Sequence, residues 1–297
     1  MRDGPISLGA RIDQAADLVT VALDELLSRG EGPEHRLTEA MRYAALGPGV
    51  RLLPFYALEA GRMFNAPERA VLRAACALEC VHAYSLIHDD LPCLDDGDER
   101  RGRPTLHRAY DEATALLAGD ALHTAAFEIM ADADTHDDGA VRAELVRRLA
   151  VAAGARGMVG GQMIDHLGAG GDLGAIARMQ RMKTGALFGL AFDIPLILTG
   201  AKDGERQALM GFAQDLGLAY QIVDDLRADG ADADLEGGAD SARPTPRRMN
   251  YVALLGADQA RRRVAILADQ ARSHLDLFGE RALYLVGSVD FVLDLTA

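Results

Sequence analysis

The run Ala83-Tyr84-Ser85-Leu86-Ile87-His88-Asp89-Asp90-Leu91 has a near copy in the same chain, Ala219-Tyr220-Gln221-Ile222-Val223-Asp224-Asp225-Leu226, shorter by one residue. Both are apolar at helical spacing and both stop at paired aspartates, so each reads as a buried helix whose end carries charge. Outward from these runs, three- and four-residue apolar spacing recurs along nearly the whole chain, with no convincing two-residue alternation. Helices are predicted over residues 12–27, 37–46, 51–64, 67–91, 111–131, 140–163, 175–190, 205–226 and 251–278, with a last one near 282–295. Gly30, Gly47-Pro48-Gly49, Pro92 and a polar break over 132–139 punctuate them. Residues 227–250, rich in Asp with two prolines, are predicted to be loop. No linker divides the composition, so one all-α helical domain spanning 1–297 is expected.

Bulk properties narrow the function. Apolar residues make up 49% of the 297 residues, aromatics only 5%, and Trp is absent, which suits helices packed closely on helices. The net charge of −14 argues against nucleic acid, whose phosphate backbone calls for a basic face. An acidic protein can still take a polyanion when divalent cations mediate the contact. Cys76, Cys80 and Cys93 are the only cysteines and form no CxxC pair, so neither a disulfide framework nor a zinc site is indicated. A reducing, cytoplasmic setting is the default expectation. Met1-Arg2-Asp3-Gly4-Pro5 leads into an amphipathic stretch, so no signal peptide is expected. The most apolar segment, 185–201, is broken by Asp193 and Pro195 and is too short to span a membrane.

The chemistry sits in the acids. Carboxylates leaving the ends of buried helices repel one another and lose solvation, so they need cations or solvent. Hard oxygen ligands in that number suit Mg²⁺, which keeps waters and bridges to phosphates. The first cluster is the fuller: Asp89, Asp90, Asp95, Asp96 and Asp98, followed at once by Arg100 and Arg101. Acids beside arginines make a place for both a metal and diphosphate oxygens. Lys183 also stands out, because it and Lys202 are the only lysines among 31 basic residues.

The stretch Asp89-Asp90-Leu91-Pro92-Cys93-Leu94-Asp95-Asp96-Gly97-Asp98-Glu99-Arg100-Arg101-Gly102-Arg103-Pro104-Thr105 resembles the first aspartate-rich motif of trans-prenyl diphosphate synthases, in the bacterial form. It is especially similar to that of farnesyl diphosphate synthases. Leu117-Ala118-Gly119-Asp120, Gly160-Gly161-Gln162, Lys183-Thr184-Gly185 and Gly217-Leu218-Ala219-Tyr220-Gln221 through Asp225 follow in family order, and the resemblance covers roughly residues 37–270. It implies a single large helical bundle of the isoprenoid synthase type around a central apolar cavity. The implied reaction joins an allylic diphosphate, dimethylallyl or geranyl, to isopentenyl diphosphate. Farnesyl diphosphate is the expected product, and the expected assembly is a homodimer. By the same resemblance Asp89, Asp95 and Asp224 are metal ligands supported by Asp90 and Asp225, with Asp89, Asp90 and Lys183 carrying catalysis. Arg100, Lys183, Thr184 and Gln221 hold the allylic diphosphate; His82, Arg101 and Arg51 face the isopentenyl diphosphate. His82 reads equally as a core histidine. Tyr84 lies about 7.5 Å along the helix axis from Asp89, and is either the floor that stops chain growth or an ordinary core tyrosine. Cys76 and Cys80, one turn apart, read as small buried helix residues.

The departures from the family are as specific as the matches. The family's Gly-Gly-Lys-Arg-Leu-Arg-Pro is here Pro48-Gly49-Val50-Arg51-Leu52-Leu53-Pro54, so Val50 and Leu53 replace two cations. Each lost charge-assisted contact should cost about 1.5–3 kcal/mol. The second acid motif reads Asp224-Asp225-Leu226-Arg227-Ala228-Asp229, its last acid displaced by one residue, about 100° around a helix. The Gly-Lys of the following loop is missing, Arg248 stands in for a later lysine, and no basic residue follows Arg281. Two alternatives to the synthase therefore stand. One is a relative that ionises the allylic diphosphate for another acceptor or for cyclisation; the other is a non-catalytic partner subunit.

Overall fold

The computed structural model describes residues 6–27, 29–168, 172–228 and 250–294. The periodic stretches become α1 (Leu8–Leu26), α2 (His35–Ala45), α3 (Leu52–Met63), α4 (Glu68–Asp89), α5 (Leu106–Ala109), α6 (Glu112–Ala131) and α7 (Gly139–Ala153). After them come α8 (Met158–His166), α9 (Leu173–Lys183), α10 (Gly185–Thr199), α11 (Asp203–Ala228), α12 (Tyr251–Leu255), α13 (Ala257–His274), a 3₁₀ segment (Asp276–Ala282) and α14 (Leu283–Asp294). Between α4 and α5 lies a small hairpin, β1 (Glu99–Arg100) and β2 (Arg103–Pro104). The all-α expectation is met, and the hairpin is the one pair of strands among the described residues. Internal contacts divide these residues into two compact units. One lies within Met1–Leu58 and Ala66–Val146, the other within Glu59–Asn65, Arg147–Ala239 and Pro244–Ala297.

The first unit is built around α4, which packs on α6, α1 and α2. Its buried side chains, among them Val71, Ala74, Leu78, Val81 and Ile87, are distributed around the helix. That burial accounts for a helix long and apolar enough to pass for a membrane span. Gly119 of α6 lies against the His88 ring, where a Cβ would stand 2.2 Å from Nε2, so only glycine permits this approach. In the second unit α11 packs on α13, α10, α9 and α14. Asp193, buried within the apolar α10, is held by Arg148 at 2.6 Å and by Arg206. A buried carboxylate needs such partners.

Helix breaks account for most differences from the predicted elements. The expected helix over 140–163 is two helices, because Gly154 and Gly157 end α7. A Cβ on Gly157 would meet the Ala152 carbonyl oxygen at 2.0 Å, a backbone arrangement open only to glycine. The expected helix over 175–190 bends by 47° at Thr184, between α9 and α10. Gly256, at φ 76°, separates α12 from α13. The hairpin turns on Arg101 and Gly102, at φ 52° and 71°. Positive φ at both central residues is the twist that tight hairpins favour.

Candidate active site

In the first unit the chain curls back at the end of α4. Asp95 N donates to the Asp89 carbonyl at 2.8 Å and Asp96 N to that of Leu91 at 3.1 Å, so Asp89 and Asp95 share one turn. Both are half-buried. Asp90 lies beneath, 5% exposed, and its two carboxylate oxygens accept from Arg100 Nε at 2.9 Å and Nη2 at 2.8 Å. Such a paired fork fixes a guanidinium plane as well as its place. A Cβ on Gly97 would come within 3.0 Å of Asp90 Oδ1, so the loop closes tightly over this pair. Asp96 and Asp98 instead reach Arg108, at 3.5 and 2.7 Å.

Three other predicted positions share this unit. His82 is half-buried, and the loss of water around its ring pushes its pKa below the ordinary histidine range, with the Arg101, Arg100 and Arg51 charges adding to the effect and Glu79 opposing it. Its ring is therefore a neutral hydrogen-bonding group near neutral pH. Arg101 is exposed and donates to the Pro48 carbonyl at 3.0 Å. Arg51, expected to face the isopentenyl diphosphate, instead points its guanidinium inward. It is 5% exposed, with Nη1 on Glu79 Oε1 at 2.5 Å and Nη2 on the carbonyls of Ala45 and Gly47 at 2.7 and 2.8 Å. Tyr84 is buried against the His123 ring at 4.6 Å and the His88 ring at 5.4 Å. Burial, with Asp89 and Asp120 adding to it, pushes its hydroxyl up to about 12.

In the second unit the remaining predicted residues fall into an ion pair at Lys183 and a hydrogen-bond network around Asp225. Lys183 Nζ meets Asp165 Oδ2 at 2.7 Å. Thr184 Oγ1 donates to Gln221 Oε1 at 2.8 Å, and Gln221 Nε2 to Asp225 Oδ1 at 3.3 Å. Asp225 Oδ2 also accepts from Gln180 Nε2 at 3.1 Å and the Tyr251 amide at 3.2 Å. Burial pushes Asp225 up to about 6, and the neighbouring Asp224 adds to this against the pull of those donors. Asp224 itself is exposed. A Cβ on Gly161 would sit 2.2 Å from Lys183 N, so the Gly-Gly pair exists to bring α8 onto the backbone that carries Lys183. A cavity of about 220 Å³ lined by Gln180, Arg181, Gly189 and Met210 touches this network only through Gln180, and includes none of Lys183, Thr184, Gln221 or Asp224. Asp229, Arg248 and the loop 235–240 lie outside the described residues.

The donor chemistry fits magnesium. Among the described residues no three His, Cys, Asp or Glu side chains form a ready cage. Mg²⁺ is usually held by one or two carboxylates together with substrate phosphates, which the Asp89–Asp95 turn can offer. Residues 34–236 match the family model described as Polyprenyl synthetase. The chain belongs to the polyprenyl synthetase family. It is a prenyltransferase of this family, 42% identical over 253 residues to farnesyl diphosphate synthase of Escherichia coli, covering 83% of this chain and 84% of that one. Identity to farnesyl diphosphate synthase of Geobacillus stearothermophilus is 36%, over 94% of this chain and 96% of the relative. Among polyprenyl synthetase folds of known structure, the FPP/GFPP synthase of Zymomonas mobilis superposes with a TM-score of 0.87 at 41% identity, covering 96% and 98% of the two chains.

Sequence reasoning overlooks two residues of this site. Glu79, 2% exposed, is the partner of Arg51; the sign available is a lone acid inside an apolar helix. Asp165 pairs with Lys183 three residues after Gln162, whose own buried Nε2 lacks a hydrogen-bond partner. The Gly160-Gly161-Gln162 motif locates both, but only the fold says which side chain meets the lysine.

Proposed function

We propose that the chain is a short-chain trans-prenyl diphosphate synthase that condenses dimethylallyl or geranyl diphosphate with isopentenyl diphosphate, with farnesyl diphosphate as product. The observation that carries this reading is the turn at the end of α4, where Asp89 and Asp95 come together above an Asp90–Arg100 fork. In the reaction the allylic C–O bond breaks and its electron pair leaves with the diphosphate. The isopentenyl double bond supplies the new C–C bond, and a proton is then lost from the acceptor. Charge gathers on the leaving diphosphate, so fixed donors aimed at it do most of the catalytic work.

Arg100, Lys183, Thr184 and Gln221 are proposed to hold the allylic diphosphate. Asp90 keeps the Arg100 fork in plane, and Asp165 anchors the Lys183 ammonium by a single contact. Arg101 and the neutral His82 contact the acceptor diphosphate. Asp89, Asp95 and Asp224 would hold magnesium, which when bound supplies the positive charge that makes diphosphate a good leaving group. Tyr84 is proposed as the floor beneath the growing chain. The family match runs through residues of both units, which supports one catalytic domain over the chain. A cytoplasmic homodimer is the proposed working form.

The test is turnover with magnesium and geranyl diphosphate, with and without isopentenyl diphosphate. Elongation only in the mixture is expected. Diphosphate release at equal rate without the acceptor would point to cyclisation or another acceptor and sink the reading.

A further inference from the structure

Two of the departures from the family motif, Val50 and Leu53, fall on the acceptor side, and the inference here rests on the acceptor reading above. Val50 is 47% exposed and Leu53 7% exposed, so neither side chain brings charge to the turn after α2. Three guanidinium groups grip that turn instead. Arg103 stacks on the Tyr43 ring at 3.9 Å and lies 3.0 Å from where a Gly47 Cβ would stand. Arg101 donates to the Pro48 carbonyl, and its Nη1 lies 2.3 Å from the place of a Gly49 Cβ. Arg51 grips from inside, closing the carbonyls of Ala45 and Gly47 onto Glu79. To do so it adopts φ 54°, a left-handed conformation that costs a side-chain-bearing residue energy and persists only where surrounding contacts hold it. Glu79 lies three residues before His82 on α4, so the anchor and the acceptor histidine share one helix face.

We propose that Arg51 is a positioning residue for the acceptor diphosphate. It sets the Pro48-Gly49 turn on which Arg101 rests, and the bare Cα of Gly49 gives the Arg101 guanidinium its seat. With Val50 and Leu53 carrying no charge, the placement of Arg101 governs acceptor affinity. Isopentenyl diphosphate affinity is thereby determined by a backbone turn rather than by a lysine.

Gly49→Ala tests this without removing a buried contact. The added methyl meets only the far end of the Arg101 side chain, which can swing away, so the thermal midpoint should stay at the wild-type value. The KM for isopentenyl diphosphate should rise roughly tenfold, the scale of one charge-assisted contact. The kcat and the KM for geranyl diphosphate should hold. Arg51→Met should raise the same acceptor KM and also lower the midpoint, and the double variant should have no higher acceptor KM than Arg51→Met, because both act through one contact. Should Arg51→Met not fold, Gly49→Ala decides alone. A wild-type acceptor KM in Gly49→Ala, or an equal rise in both KM values, overturns the proposal. A wild-type protein that does not elongate at all fails the functional reading instead.

Discussion

Asp90 stands next to Asp89 in the chain yet does a different job. One step around a helix end turns a side chain by about 100°, enough to put Asp90 beneath the turn and on the Arg100 fork. Asp90→Asn keeps the volume and removes the charge, so Arg100 loses its plane. The expected result is an allylic KM raised about tenfold and a fold weakened by about 1–3 kcal/mol, read by steady-state kinetics and thermal unfolding. Asp89→Asn should instead abolish magnesium-dependent turnover with little change in midpoint. Equal behaviour of the two variants would show that the distinction is wrong. Tyr84→Ala should lengthen the product, because the ring now against His123 would no longer block a growing chain; chromatography of the dephosphorylated products checks it, and an unaltered length retires the floor. The sequence identifies Asp89 and Asp90 through the motif and Tyr84 through its spacing from Asp89. It does not reveal that Arg51 turns inward, because arginine is as suited to a buried ion pair as to a phosphate and only its neighbour Glu79 decides between them.

Elements explain both what is readable and what is not. The apolar period finds α4 and α11 easily, since each is buried around much of its surface. The breaks at Gly157 and Thr184 leave no gap in that period, so 140–163 and 175–190 read as single helices, whereas close backbone approach divides them. The hairpin escapes because strands of two residues cannot alternate. Helix starts are more legible, and one carries a pH prediction. Asp111 caps α6 by accepting from the Thr114 amide and hydroxyl, and it pairs with Arg36. The amide, hydroxyl and Arg36 together hold its carboxyl down at about 2. A carboxylate with a depressed folded pKa contributes stability that is full above its ordinary value near 4 and is lost as pH falls toward 2. Asp111→Ala should therefore lower the thermal midpoint at pH 6 and narrow the gap from wild type as pH drops from 4 to 2. Unfolding scans across that range check it; a gap that stays constant down to pH 2 would remove the cap from the account.

For the molecule as a whole the decisive quantity is the net charge of −14. A multiply charged anion approaching this surface is repelled before any specific contact forms, and arginines such as Arg100 are already engaged with carboxylates. Binding of an allylic diphosphate, and not only its turnover, should then depend on a divalent cation. The prediction concerns linkage: a ligand at a hundred times its Kd stabilises a fold by about 2.7 kcal/mol. Saturating geranyl diphosphate without acceptor should raise the thermal midpoint by several degrees when magnesium is present and by almost nothing in excess chelator. Magnesium alone should produce only a small shift, because no three candidate ligands form a ready cage among the described residues and one or two carboxylates leave most of its six positions to water until phosphate oxygens arrive. Adding calcium in place of magnesium should give a weaker shift, since its longer bonds and looser geometry suit this paired-acid turn less well. If geranyl diphosphate stabilises the protein equally in chelator, the basic side chains alone capture it, and the role given to the acids has to be abandoned.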